Sequence, residues 1–169
     1  ESLQSSGYRT AASVSAFVTT AVWKLDQGFD VYFDEISQQK NGKQRWAQER
    51  PAEDVVDDLV PWLGENNEQP FFLWAHFYDP HHPHEAEEPY RSQYSILYDA
   101  EIAYVDDQIE RLRIAAEEAA GPGGVAWLIV ADHGESFGAH GERGHGMFIW
   151  NTTMQIPFIL RPPQPLEVP

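Results

Sequence analysis

Asp132 and His133 stand side by side at the end of the apolar run 125–131, with Gly134 and Glu135 directly after them. Adjacent carboxylate and imidazole groups can give oxygen and nitrogen to one cation, or serve a neighbouring pair of groups. The next stretch, 135–146, holds four glycines and two histidines, His140 and His145, a composition that favours close backbone approach to something small and polar. A plain surface loop after a core strand, with Asp132 as a cap, has the same composition. A second group follows another apolar run, 70–78: Asp79-Pro80-His81-His82-Pro83-His84. Histidines held this stiffly by prolines are expected at the surface, as part of a site or as an incidental His-rich loop. His76 lies inside the apolar run, where a structural hydrogen bond is its expected role. All seven histidines fall between His76 and His145.

Positioning these groups requires a sheet. The run 125–131 is continuous and rich in β-branched residues, as expected of a strand buried on both faces. Residues 70–78 read the same way. Tyr8 to Val18 begins as a strand, and 28–34 is a short strand or extended loop. Residues 38–48 read as a polar surface turn around Asn41-Gly42. A helix starts at Pro51, with Glu53 and Asp54 near its positive end, and Pro61 is expected to kink or end it. Asp57 and Asp58 point different ways on that helix, which suits a solvated edge better than a metal site. The longest helical pattern is 93–120. Tyr98, Ile102, Val105, Ile109, Leu112 and Ala116 form its stripe, expected to pack on the sheet, and its charges are expected in solvent. Residues 147–154 suggest a short helix, and 156–161 a last strand.

The alternation predicts an α/β fold, layered α/β/α with a mostly parallel sheet. Parallel strands open their carboxyl ends on one side, where open sheets bind ligands. His81 or its neighbours, Asp132, His133 and His145 are therefore expected around one cleft.

A chain of 169 residues, 42 % apolar and 13 % aromatic, is long and hydrophobic enough for a packed core. The formal net charge of −16, without a Lys/Arg cluster, argues against nucleic acid as a partner. No run is long enough for a membrane span. Cysteine is absent, which removes disulfides, thiolate metal sites and a Cys nucleophile from these residues.

The segments 70–74 with Asp79-Pro80-His81, 98–106, 131–135 leading to Gly144-His145-Gly146, and 156–159 together resemble the sulfatase family of the alkaline-phosphatase-like superfamily. Residues 7–11 through 25–30 resemble the stretch that follows that family's catalytic loop. The resemblance covers nearly the whole chain in the right order. It implies hydrolysis of a sulfate ester, such as that of a sulfated sugar, with a divalent metal, calcium by preference. It implies Asp132 and His133 as metal ligands. His81 and His145 are implied as catalytic and substrate-binding residues, His81 protonating the leaving oxygen and His145 holding a sulfate oxygen.

The family's nucleophile is a formylglycine made in a Cys/Ser-x-Pro-x-Arg motif, and no such motif occurs here. The early acidic metal-ligand pair also has no counterpart. The fold is therefore expected to be an incomplete alkaline-phosphatase-like one. Residues 1–161 would be part of a sulfatase catalytic domain, and 162–169 a Pro-rich tail or the start of a continuation. The formylglycine is expected only in an N-terminal part before Glu1, and the segment alone is expected to be inactive. The alternatives are a phosphodiesterase, phosphonate hydrolase or phosphoethanolamine transferase of the same superfamily, or a non-catalytic remnant. Relatives imply a periplasmic, secreted or lysosomal-type compartment.

Overall fold

A computed structural model describes residues 2–36, 49–65 and 69–164. The surface turn expected at 38–48 lies outside the described residues. The chain divides into two compact units, Glu1–Ala120 and Gly121–Pro169.

The first unit is built on β1 (Arg9–Val14), which pairs in parallel with β2 (Val31–Phe33) on one side and β3 (Phe71–His76) on the other. Thr10, Ala11, Ala12, Ser13 and Val14 are all buried. Small side chains at the centre let α2 (Ala52–Glu65) lie close against the strand. A single turn, α1 (Ser2–Ser5), precedes the sheet. Helix α2 buries Ala52, Val55, Val56, Leu59, Trp62 and Leu63, the i, i+3, i+4 face that its sequence shows. At its far end, the Arg9 guanidinium donates to the carbonyls of Trp62 and Leu63, each at 2.9 Å, and lies 4.2 Å from the centre of the Trp62 ring. One strand residue thus satisfies the carbonyls that a helix end leaves open.

Several expectations for this unit need correction. Pro61 does not end α2, which continues to Glu65. Pro61 is on the exposed side, so the Asp57 carbonyl that loses its partner faces water. Asp58 is not a solvated edge: it accepts from Ser13 Oγ at 2.8 Å and pairs with the buried Arg50 guanidinium. Asp57 does lie at the surface, 2.7 Å from Arg111. The long helix is α4 (Leu97–Ala120), preceded by the turn α3 (Tyr90–Gln93). Its main packing partner is α2 rather than the sheet. Its buried residues are Ala100, Glu101, Val105, Gln108, Leu112 and Ala116, while Ile102 is exposed. Glu101 was expected in solvent, and its burial matters below.

In the second unit, β4 (Trp127–Val130) pairs antiparallel with β5 (Phe158–Arg161), with Val130 opposite Phe158. A parallel pair needs a long crossover, usually a helix. The segment between these strands contains only the one-turn helix α5 (Asn151–Met154) and a glycine-rich loop, so the chain returns antiparallel. β4 is not buried on both faces either: Leu128 and Val130 are 55 % and 51 % exposed. Its apolar run reflects one half-covered face and one partner strand. The fold class is α/β as expected, with the parallel strands confined to the first unit.

Candidate active site

In the first unit the relevant groups follow β3. Asp79 is largely buried, and its Oδ1 accepts the backbone N–H of Ala52 at 3.2 Å, capping α2 from a distant part of the chain. The Tyr104 hydroxyl accepts the next N–H, that of Glu53, at 3.0 Å. Asp79 Oδ2 has no hydrogen-bond partner among the described residues. Burial pushes the Asp79 carboxyl up to about 6, with the carboxylates of Glu101 and Glu49 adding to the effect.

His81 is half-buried, and both ring nitrogens are engaged. Nδ1 lies 2.7 Å from the His82 carbonyl oxygen, which can only accept, so Nδ1 carries a proton. Nε2 of the neutral ring is then an acceptor, and the Tyr78 hydroxyl donates to it at 3.1 Å. His82 is exposed. His84 is not incidental: its Nδ1 donates to Glu101 Oε2 at 2.6 Å, and the Glu85 N–H donates to Glu101 Oε1 at 2.7 Å. Glu101, raised mainly by burial, anchors the histidine loop to α4. His76 has the structural role expected, with Nδ1 accepting the Ser15 N–H at 3.4 Å and its carbonyl accepting Ser15 Oγ–H at 2.8 Å.

In the second unit the structure brings Asp132, His133 and His145 together. Asp132 is exposed, and its Oδ1 accepts the His133 N–H at 3.0 Å. His133 Nδ1 donates to the Gly134 carbonyl at 2.9 Å, which leaves Nε2 available, 3.7 Å from Asp132 Oδ1. The His145 ring stacks on His133, with centroids 3.8 Å apart. His145 Nδ1 donates to the buried carboxylate of Glu135 at 3.1 Å, and Glu135 also accepts the Ser136 N–H. Glu142 is buried as well, and its Oε1 accepts the N–H groups of Met147 and Phe148, closing the turn that carries His145. Gly134 has to be glycine: a Cβ there would lie 2.4 Å from the Thr152 carbonyl oxygen. Its N–H donates to Thr153 O at 2.8 Å, so α5 seats directly on the loop.

Asp132 and His133 offer a cation one carboxylate and one imidazole. Calcium takes six to eight oxygens. No group of three or more His, Asp or Glu suited to a metal occurs among the described residues. The couple fits two positions of a coordination sphere and does not complete one. Sequence reasoning missed Tyr78, Asp79, Glu101, Glu135 and Glu142. Glu101 was read as a solvated charge, and Asp79, Glu135 and Glu142 stood within the two loop clusters without a role, since nothing local marks an acid as buried. Tyr78 was absorbed into an apolar run.

The sulfatase family model matches residues 1–167, and the chain belongs to that family. No curated protein matches it. Among the solved structures that share its fold are two at low identity. One is LtaP, a lipoteichoic acid synthase from Listeria monocytogenes, at 17 % identity and a TM-score of 0.53, over 78 % of this chain and 35 % of that one. The other is Ps i-CgsB, solved in complex with k-i-k-neocarrahexaose, at 15 % identity and a TM-score of 0.63, over 96 % of this chain and 46 % of that one. The chain thus spans less than half the length of either.

Proposed function

We propose that this chain is a segment of a sulfatase-type enzyme that supplies the proton-donating and oxyanion-binding histidines of a sulfate-ester hydrolase. The observation that carries this reading is the His133–His145 stack beside Asp132, with His145 oriented by Glu135, in a chain of the sulfatase family. Because the Glu135 carboxylate accepts the Nδ1–H hydrogen bond, Nε2 is the nitrogen of His145 that, when protonated, can donate to a sulfate oxygen. The His82 carbonyl likewise holds His81 Nδ1, and Nε2 accepts the Tyr78 hydroxyl in this structure. Nε2 is therefore the nitrogen that, once protonated and turned to an ester in place of the phenol, can pass its proton to a leaving alkoxide. Asp132 and His133 would be two ligands of a divalent cation, calcium by preference, which when bound supplies positive charge toward the ester.

Neither a Cys nor a Ser-x-Pro-x-Arg motif exists in the sequence to provide a nucleophile. Residues 1–169 alone are therefore expected to turn over no sulfate ester at an enzymatic rate. Phosphoryl chemistry on the same fold is the second reading, favoured by the likeness to a lipoteichoic acid synthase. The test is two-part. The purified chain is assayed with an aryl sulfate, where turnover that disappears on His133→Ala would refute inactivity. Histidine NMR then follows titration with phenyl sulfate and, separately, phenyl phosphate. Movement of the His81 and His145 resonances by the sulfate supports the proposal, and movement by the phosphate alone transfers it to the second reading.

A further inference from the structure

Phe72, Trp74 and His76 alternate along β3 and share one face of the strand. The ring series continues past its end. Trp74 meets His76 at 6.1 Å between centroids, His76 meets Tyr78 at 6.4 Å, and Tyr78 stacks on His81 at 4.2 Å with planes 20° apart. His76 is itself tied to Ser15, just beyond β1. A line of contacts therefore runs from the sheet backbone to the His81 imidazole.

Two constraints meet on that imidazole from Tyr78. The stacked ring fixes its plane, and the hydroxyl bond to Nε2 fixes its rotation within the plane. The His82 carbonyl holds the opposite nitrogen and sets the tautomer. We propose that Tyr78 is the positioning residue for His81. It acts only through the imidazole, holding Nε2 as the proton-exchanging nitrogen at a fixed point beyond the end of β3. Without the phenol, a side chain on a surface loop has rotamers to choose from, and proton transfer falls steeply once the donor atom is misplaced. Nε2 makes one in-plane hydrogen bond at a time, so an ester's leaving oxygen would take the place of the Tyr78 hydroxyl there, while the stacked phenol ring keeps the plane of the imidazole. This inference rests on the proposed role of His81, but its test does not depend on turnover.

The experiment is nitrogen-15 NMR of the histidine side chains in the 169-residue chain, comparing wild type with Tyr78→Phe and Tyr78→Leu. In the wild type, His81 is expected as the Nδ1–H tautomer, with Nε2 shifted as a hydrogen-bonded acceptor. Tyr78→Phe keeps the stack, so only the Nε2 resonance should move, toward the position of an unbonded nitrogen. Tyr78→Leu should also remove the ring-current shift of the His81 carbon-bound protons. The backbone amides of β1 and β3 report whether each variant is folded, and the wild-type Nε2 shift is diagnostic by itself. An unbonded Nε2 in the wild type, the opposite tautomer, or a His81 spectrum unchanged in folded Tyr78→Phe would overturn the proposal. If phenyl sulfate leaves the His81 signals in place while the Tyr78 effects hold, the assignment of His81 to the ester fails and the pairing stands.

Discussion

The imidazoles of His133 and His145 lie nearly parallel, 25° between planes and 3.8 Å between centroids, and Glu135 holds Nδ1 of His145. Glu135 is adjacent in sequence to Gly134 and ten residues from His145, so one buried carboxylate closes the glycine loop on itself. Replacing it with Ala removes the acceptor for His145 Nδ1 and one of two for the Ser136 N–H, which keeps the Gly144 carbonyl at 3.3 Å. The expected cost is about 1–2 kcal/mol, for a part-buried imidazole that loses a hydrogen bond to a charged acceptor. It should be read as a lower urea midpoint, accompanied by loss of the ring-current shift between the two histidines. A stack that survives in folded Glu135→Ala would show that the rings hold each other without the carboxylate.

Asp79 gives a pH dependence whose sign is fixed by its environment. Its carboxyl is raised from 3.8 to about 6 in the folded chain, chiefly by burial. Between those values the folded state binds more protons than the unfolded one, so this group's contribution to stability falls as pH rises through the window. A shift of that size corresponds to about 3 kcal/mol at neutral pH. Asp79→Asn removes the titration. Relative to wild type, the variant should therefore gain about 2–3 kcal/mol between pH 4 and pH 7. Chemical denaturation of both proteins across that range measures it. A difference that stays flat with pH would mean that the carboxyl titrates normally.

How much of this was legible in the sequence depended on whether the signal was local. The strand–loop junctions at His81 and at Asp132-His133 announced themselves, because apolar runs end there in ionisable groups. The parallel strands of the first unit followed from the alternation of apolar runs with helical patterns. The buried acids did not. Glu101 sits among charges on a helix and looks like all of them. Only the docking of the loop that carries His84 and Glu85 distinguishes it. Asp58 was missed because its partners, Ser13 and Arg50, lie 45 and eight residues away. The antiparallel turn of β4 was missed for a different reason: a continuous apolar run fits a doubly covered strand and a half-covered one equally well.

Gly134 tests whether the loop after β4 is fixed by close backbone contact. An added Cβ would meet Thr152 O at 2.4 Å and Gln155 O at 3.1 Å, both backbone atoms that no rotamer change can move away. Gly134→Ala is expected to cost about 3 kcal/mol, at the upper end for overpacking. It should also raise hydrogen exchange at the Gly134 and Thr153 amides, as α5 lifts from the loop. Gly144→Ala is the control. Its nearest neighbour would be a side-chain oxygen of Glu135 at 3.7 Å, an ordinary contact. Equal losses for the two variants would refute the close-contact argument.

Metal binding separates the two donors present from the larger number a hard cation requires. Asp132 is almost fully solvated, and among the described residues its companion in a coordination sphere is the Nε2 of His133. One carboxylate and one imidazole leave calcium to take most of its ligands from water, and water ligands add no affinity over the free ion. Calorimetry on the 169-residue chain is therefore expected to give a calcium Kd no tighter than about 1 mM, the weak end for built protein sites. Asp132→Asn should remove what heat there is. A micromolar Kd lost in Asp132→Asn would mean that further oxygens converge on this couple. A micromolar Kd kept in Asp132→Asn would place the ion elsewhere on a chain of net charge −16, and the assignment of Asp132 and His133 as metal ligands would fall.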